Sequence, residues 1–173
     1  MEDRIRSRLN GELAGCSSAL DVGCGTGQYL HTLPPNITKA SIDPIDRVSK
    51  RVSSKRFLQG TAQELLPRFA AGSFDVVYAI DVIEHIDKGP AWIVIDEMKR
   101  VAAQRVVLFT PNGFMAHDGS GFSAEETPWQ VHRSGWTGEE LRGAGFVVEE
   151  WLPHASPPKH QWAESSLWAV WSQ

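Results

Sequence analysis

A short run of acids and glycines, and two distant histidines, are the residues in this chain whose types and spacing could do chemistry. Asp21 precedes Gly23, Gly25 and Gly27, which alternate around Cys24 and Thr26, and Asp43 follows 20 places beyond Gly23. Farther on, Ile80-Asp81-Val82-Ile83-Glu84-His85 ends an apolar stretch, and His132 lies in a segment rich in glycine and tryptophan. Glycine at 23 and 25 lets the main chain take positive φ and lets a ligand approach the backbone with no Cβ between them. A helix opening near Thr26 would aim unpaired N–H groups and a positive dipole end at that ligand. An acid two places before the first glycine disfavours an anion there and suits a ligand carrying positive charge. His132, and after it His85, could take a proton from a hydroxyl acceptor; each could equally serve only to hydrogen-bond a loop, and the same holds for Asp81.

A glycine turn between strand and helix also serves dinucleotide folds of the G-x-G-x-x-G kind, where it holds a pyrophosphate. Here Gln28 stands where the third glycine of that pattern belongs, and Asp21 would repel the phosphates. The pattern D-x-G-x-G-x-G, Asp21 to Gly27, resembles instead the first motif of the class I S-adenosylmethionine (AdoMet) methyltransferases, whose cofactor carries an ammonium and a sulfonium. Cys24 reads as a small buried residue within that loop. An acid at the carboxyl end of a second parallel strand can accept both ribose hydroxyls of a nucleoside, which suits Asp43. Asp43-Pro44 would also suit a helix start, with Asp43 as its cap.

The resemblance implies that Pro44 and Ile45 pack against adenine. In these methyltransferases the junction after the third strand often carries Asp-Ala. Thr61 takes the acid's place here, so the resemblance keeps the backbone contact from Ala62 and offers Gln63 for the adenine amino group. The run from Ile80 through Asp81 to Ile86 resembles the fourth motif of the small-molecule, type 11-like subgroup that includes quinone-pathway enzymes. It differs from the motif of enzymes that methylate base amino groups in DNA, an Asn or Asp followed by Pro-Pro and an aromatic.

The elements that must position these residues follow from periodicity and punctuation. Within the first 17 residues, Ile5, Leu9 and Leu13 recur at a helical interval among arginines, predicting an amphipathic helix over 2–13 that covers the sheet edge with its basic face in solvent. A helix over 27–33 is stopped by Pro34-Pro35. Strands are expected at 19–22, 39–42 and 56–58, with a helix from 61 through 69. Residues 74–80 are apolar almost throughout, as a central parallel strand buried on both faces should be. A helix at 92–101 and a strand at 105–109 follow.

Residues 110–137 then form a long connection of little periodicity, the expected acceptor loop, with Trp129, Gln130, His132 and Arg133 as its cluster of polar and aromatic groups. Its alternative is a loop pinned to the core by its tryptophans. Thr137 with Glu140 makes a capping box, and two last strands, 146–152 and 166–171, form a hairpin across a proline-rich loop at 153–164. The expected fold is α/β, a Rossmann-like doubly wound seven-stranded sheet with the last strand antiparallel.

The 173 residues, 42% hydrophobic, suffice for one domain. A net charge of −4 and a pI near 5.8 argue against a broad basic face for nucleic acid. No stretch reaches the roughly 20 apolar residues of a membrane span, and the polar start lacks a signal's apolar core, so a cytoplasmic protein is expected. Two cysteines, Cys16 and Cys24, give neither a disulfide scaffold nor a zinc spacing, and no metal is expected.

The resemblance implies transfer of a methyl group from AdoMet. The tail Gln130-x-His132-x-Ser134-Gly135-Trp136-Thr137 looks like that of methyltransferases of polysaccharide or other secondary biosynthesis, which points to oxygen on a sugar or small metabolite. Few residues precede the first strand, so either a large acceptor approaches an open cleft or a second copy or partner subunit covers it. Two alternatives stand: a non-catalytic AdoMet-binding subunit, and a nicotinamide oxidoreductase, which would share the fold and Asp43 but leaves Gln28 and Glu84-His85 unexplained.

Overall fold

A computed structural model of the chain describes residues 1–46, 56–152 and 165–173. Its seven strands are β1 (Ser18–Val22), β2 (Thr38–Asp43), β3 (Phe57–Gln59), β4 (Phe74–Ile80), β5 (Ala102–Pro111), β6 (Val147–Trp151) and β7 (Ser166–Ser172). They form one sheet in the order β3-β2-β1-β4-β5-β7-β6. The pairings from β3 through β5 are all parallel, whereas β7 runs antiparallel to both β5 and β6, between which it is inserted. The chain therefore reverses strand order after β3, and β1 and β4 lie side by side at the switch point where open α/β sheets bind ligands beyond their carboxyl ends.

Two buried clusters, one on each face, follow from the two-residue period of the strands. Leu20, Val22, Val77, Ala79, Val106 and Leu108 face one side, where α3 (Lys88–Val101) buries Ala91, Val94, Ile95 and Met98 against them. Val76, Tyr78, Ile80, Val107 and Phe109 face the other, with Ile5 and Leu9 of α1 (Glu2–Glu12). The amino-terminal helix thus lies across a face of the sheet rather than along its edge. Its arginines are paired: Arg4 and Arg8 reach Glu149 of β6, Arg4 lies 3.9 Å over the Trp151 ring, and Arg6 meets Glu2 and Asp3.

The helix expected at 27–33 is absent. A single 3-10 turn, Leu30–Thr32, follows the glycine loop. The six residues between Gly27 and Pro34-Pro35 make only that turn, and Tyr29, Leu30 and Leu33 bury their side chains in the cluster with α1. On the opposite face, the expected helix from residue 61 splits into α2 (Ala62–Leu65) and a 3-10 turn at Leu66–Arg68, where Pro67 supplies no amide. The loop at 153–164 lies outside the described residues.

The connection after β5 contains one turn of helix, α4 (Thr127–Gln130), and is tied down at its end. Trp136 is fully buried, edge-on to Trp92 at 4.9 Å, with the Lys88 ammonium 3.8 Å over its ring. Trp129 does no such work and is 42% exposed. Helix α5 (Gly138–Gly143) then opens on the expected capping box, the Thr137 amide donating to Glu140 Oε2 at 2.9 Å and the Glu140 amide to Thr137 Oγ1 at 3.2 Å.

Candidate active site

The glycine loop hangs on the end of β2. The Gly23 and Cys24 amides both donate to the Ile42 carbonyl, and the Gly25 amide donates to Asp43 Oδ2 at 2.8 Å. The other carboxylate oxygen of Asp43 accepts from the Ile45 amide, also at 2.8 Å, in a tight turn that Pro44 begins. Asp43 is buried where the glycine loop meets the end of β2. In place of the helix N-terminus expected near Thr26, the loop is held by this carboxylate, so its amides are organised by Asp43 rather than by a macrodipole.

Both glycine conformations expected of the loop occur, φ being 73° at Gly23 and 54° at Gly25. A Cβ on Gly23 would come 2.5 Å from Val82 Cγ2, whereas a Cβ on Gly25 would meet open space. The loop is thus pressed against the end of β4 at one glycine and open at the other. Beneath it, Asp21 is 2% exposed and, among the described residues, its Oδ2 has no hydrogen-bond partner. Burial pushes its pKa up to about 8 against the pull of the nearby Tyr78 hydroxyl, with Asp43 adding to the rise. A buried carboxyl in this condition suits a cationic ligand group.

One cleft runs past the carboxyl ends of the strands. Gly23, Asp43, Pro44, Thr61, Ala62, Gln63 and Asp81 of the expected cofactor residues line it, as does His85. Asp21, Cys24, Gly25, Gly27, Ile45 and Ile80 lie outside its lining; Cys24 and Ile80 join the cluster packed with α1, as the small buried role expected of Cys24 requires. The Thr61 hydroxyl donates to Glu64 Oε2 at 2.9 Å and accepts from the Glu64 amide, so it is committed to capping α2. Gln63 is exposed beside it.

The far wall comes from the long connection: Pro128, Trp129, Gln130 and Arg133. Among the described residues, Asp81 is the one non-glycine with positive φ, 54°, a conformation that costs energy and collects at functional sites. Its side chain is open to the cleft yet ringed by protein, and loss of hydration pushes its pKa up to about 7.

Behind Asp81 stand Glu84, His85 and His132. Glu84 is 2% exposed and accepts from the Thr110 hydroxyl at 2.9 Å; burial and the Asp81 charge hold its pKa well above the usual range. His132 packs edge-on against His85, ring centres 4.7 Å apart. Carbonyl oxygens only accept, so His85 Nδ1 donates to the Val131 carbonyl at 3.3 Å and His132 Nδ1 donates to that of Met115 at 2.7 Å. Burial lowers both pKa values, that of His85 to about 4, and at neutral pH each ring is uncharged with its Nε2 lone pair free of a proton. Of the two, His85 lines the cleft. Glu84 was legible in the sequence only as half of a Glu-His run; its burial and its Thr110 partner depend on the pairing of β4 with β5.

A doubly wound sheet with this strand order, a glycine loop over its switch point and a buried acid beneath define a class I AdoMet-dependent methyltransferase. A family profile described as a methyltransferase domain matches residues 20–110, more than half of the chain, and the chain belongs to that family. Its cofactor is AdoMet. No curated protein matches the sequence.

Among solved structures the chain is similar to a SAM-dependent methyltransferase from Archaeoglobus fulgidus, with TM-score 0.70 and 16% identity over 100% of this chain and 95% of that one. It is similar also to 1,6-didemethyltoxoflavin-N1-methyltransferase from Burkholderia thailandensis, solved with 1,6-didemethyltoxoflavin and S-adenosylhomocysteine. That match has TM-score 0.68 and 16% identity over 98% and 76% of the two chains. A third is a methyltransferase from Haloferax volcanii in complex with the Trm112 activator, with TM-score 0.64 and 18% identity over 98% and 90%. No helix among the described residues is long and apolar enough to cross a membrane.

Proposed function

We propose that this methyltransferase acts on an oxygen of a small-molecule or sugar acceptor, held against Trp129, Gln130 and Arg133. The observation that carries the reading is the shared cleft. Its one wall is built from the cofactor motifs and its other from the 110–137 segment, the acceptor loop, with an exposed indole flanked by an amide and a guanidinium. A flat aromatic face beside fixed polar groups suits a polar ring. Asp21 takes the cofactor's ammonium, Asp43 its ribose hydroxyls, and Ala62 and Gln63 its adenine, while Pro44 and Ile45 bound the adenine pocket.

When bound, the cofactor supplies a methyl group already activated on a sulfonium. The protein's work is then to align an acceptor with it, an effect worth up to about 7 to 11 kcal/mol in favourable cases. A hydroxyl acceptor must also lose a proton, and the uncharged imidazole of His85 at the cleft, with His132 packed against it, would assist for roughly a 10²- to 10⁴-fold gain. The 110–137 segment already supplies one wall of the cleft, and a second copy or a partner subunit would complete the cover. Both cysteines are free and buried, which fits a reducing compartment and a cytoplasmic protein as one domain over residues 1–173.

The test is transfer of labelled methyl from AdoMet to a panel of sugars and hydroxylated metabolites, with products analysed by mass spectrometry. Methyl ethers formed by the native chain and reduced by Trp129→Ala are expected; products methylated only at nitrogen would overturn the oxygen assignment. Asp43→Ala is expected to weaken AdoMet about 10- to 100-fold by calorimetry, because it removes the ribose acceptor and the anchor of Gly25, hydrogen bonds to a charged group worth roughly 1.5–3 kcal/mol each. Native affinity in that variant would remove Asp43 from the site.

A further inference from the structure

Two stretches far apart in sequence are laced together at the acceptor end of the cleft. The Glu84 carbonyl accepts from the Arg133 amide at 2.7 Å and the Ser134 amide at 3.1 Å, and Ser134 Oγ donates to the Ile83 carbonyl at 3.1 Å. The Trp136 indole then donates to Ser134 Oγ, tying the stretch to a fully buried anchor. This lacing sets His132 beside Glu84 and His85, and one ligand atom from each of the three lies within 4.8 Å of the others. Ligands sharing an ion at about 2.0–2.2 Å stand roughly 3 to 4 Å apart, so the three close on one point with a shift of about an ångström.

We infer that Glu84, His85 and His132 bind a divalent transition-metal ion, and that its open position takes the acceptor oxygen. Three observations converge. The Glu84 carboxylate is buried, and among the described residues no lysine or arginine pairs with it; its side-chain partner is the Thr110 hydroxyl. A buried carboxyl stays ionised only beside a cation and otherwise keeps its proton. Both imidazoles donate Nδ1–H to main-chain carbonyls, the second contact that metal-bound histidines make, and this leaves Nε2 as the ligand atom on each ring. The rings also meet edge-on, at 76°, rather than stacked face to face.

Two imidazoles with one carboxylate select zinc, manganese, cobalt or iron(II) over calcium and magnesium, which prefer all-oxygen sets. The ligand set escaped the sequence because its members are a Glu-His pair and a histidine 47 places later, a spacing no zinc motif uses. His85 lines the cleft with Asp81 and Gln130, which puts the ion at its wall. A hydroxyl bound to such an ion loses its proton more readily, which gives the histidines a role as ligands rather than as bases. This last step rests on the oxygen reading above; the ion site does not.

The experiment uses the untagged full chain, stripped with chelator and dialysed against Co²⁺, Zn²⁺, Mn²⁺ or Mg²⁺. Expected is one equivalent of Co²⁺ with a visible ligand-field absorption, displaced by Zn²⁺ and not by Mg²⁺. Glu84→Gln and His132→Ala should each weaken Co²⁺ about 10- to 100-fold or more while keeping native affinity for S-adenosylhomocysteine, which reports an intact fold. Native chain that holds no more Co²⁺ than His132→Ala would overturn the site. Co²⁺ bound at the three residues, with methyl transfer indifferent to chelation, would overturn the acceptor-oxygen role and leave the site standing.

Discussion

Asp21→Asn is expected to bind S-adenosylhomocysteine at least about tenfold more weakly than the native chain and, without ligand at pH 8, to unfold at a higher temperature. Both halves follow from a buried carboxyl whose Oδ2 has no hydrogen-bond partner among the described residues. Its ordinary pKa of 3.8 is raised by burial to about 8. Between those values the unfolded chain has lost a proton that the folded chain still holds, so unfolding gains as pH rises. Through this carboxyl the free protein therefore loses stability from about pH 4 to about pH 8, and Asp21 adds no further loss above it.

Asparagine carries no such penalty, which at about 1.4 kcal/mol per unit of pKa is large beside ordinary surface effects. An ammonium held at Asp21 favours the ionised form, so below pH 8 ligand binding releases a proton, and affinity falls as pH drops. Calorimetry in two buffers of different ionisation enthalpy reads that proton directly, and the asparagine variant should show none from this site. Native affinity in the variant would show that the ammonium binds elsewhere, and an unchanged melting temperature at pH 8 would show that Asp21 is already ionised. The pair of effects is a trade of stability against function at one carboxyl.

The strands were legible because burial on both faces leaves a plain record: 74–80 had no other reading, and β4 is Phe74–Ile80. The glycines at 23 and 25 were legible for a related reason, since a positive φ excludes most other residues. The helix after the loop was misread because apolar residues at helical spacing, Tyr29, Leu30 and Leu33, also serve a chain that simply turns its side chains toward α1. Placing α1 at the edge failed similarly: an amphipathic stripe says that a face is buried, not which one. The hydrogen bonds of Asp43 to Gly25 and Ile45, and the meeting of Glu84, His85 and His132, depend on contacts across the sheet that no local pattern records.

Gly23→Ala and Gly25→Ala should separate the loop's two functions, although sequence alone treats the positions alike. At Gly23 the added methyl would sit 2.5 Å from Val82 Cγ2 and 3.0 Å from Cγ1, on a branched side chain with little freedom to turn away. Overpacking of this kind costs about 1–3 kcal/mol, and a left-handed alanine adds roughly 1 more. Gly23→Ala is therefore expected to unfold at a midpoint lower by several degrees, and to lose cofactor binding with the displaced loop.

At Gly25 only the backbone strain applies, because a Cβ there meets open space. Gly25→Ala should lose about 1 kcal/mol of stability and still lose AdoMet affinity by an order of magnitude or more, since the methyl stands where a ligand would approach the main chain. Thermal melts and calorimetry on both variants decide the matter. Equal melting temperatures for the two variants would show that Val82 yields, and native affinity in Gly25→Ala would move the cofactor away from the face of the loop that this glycine keeps open.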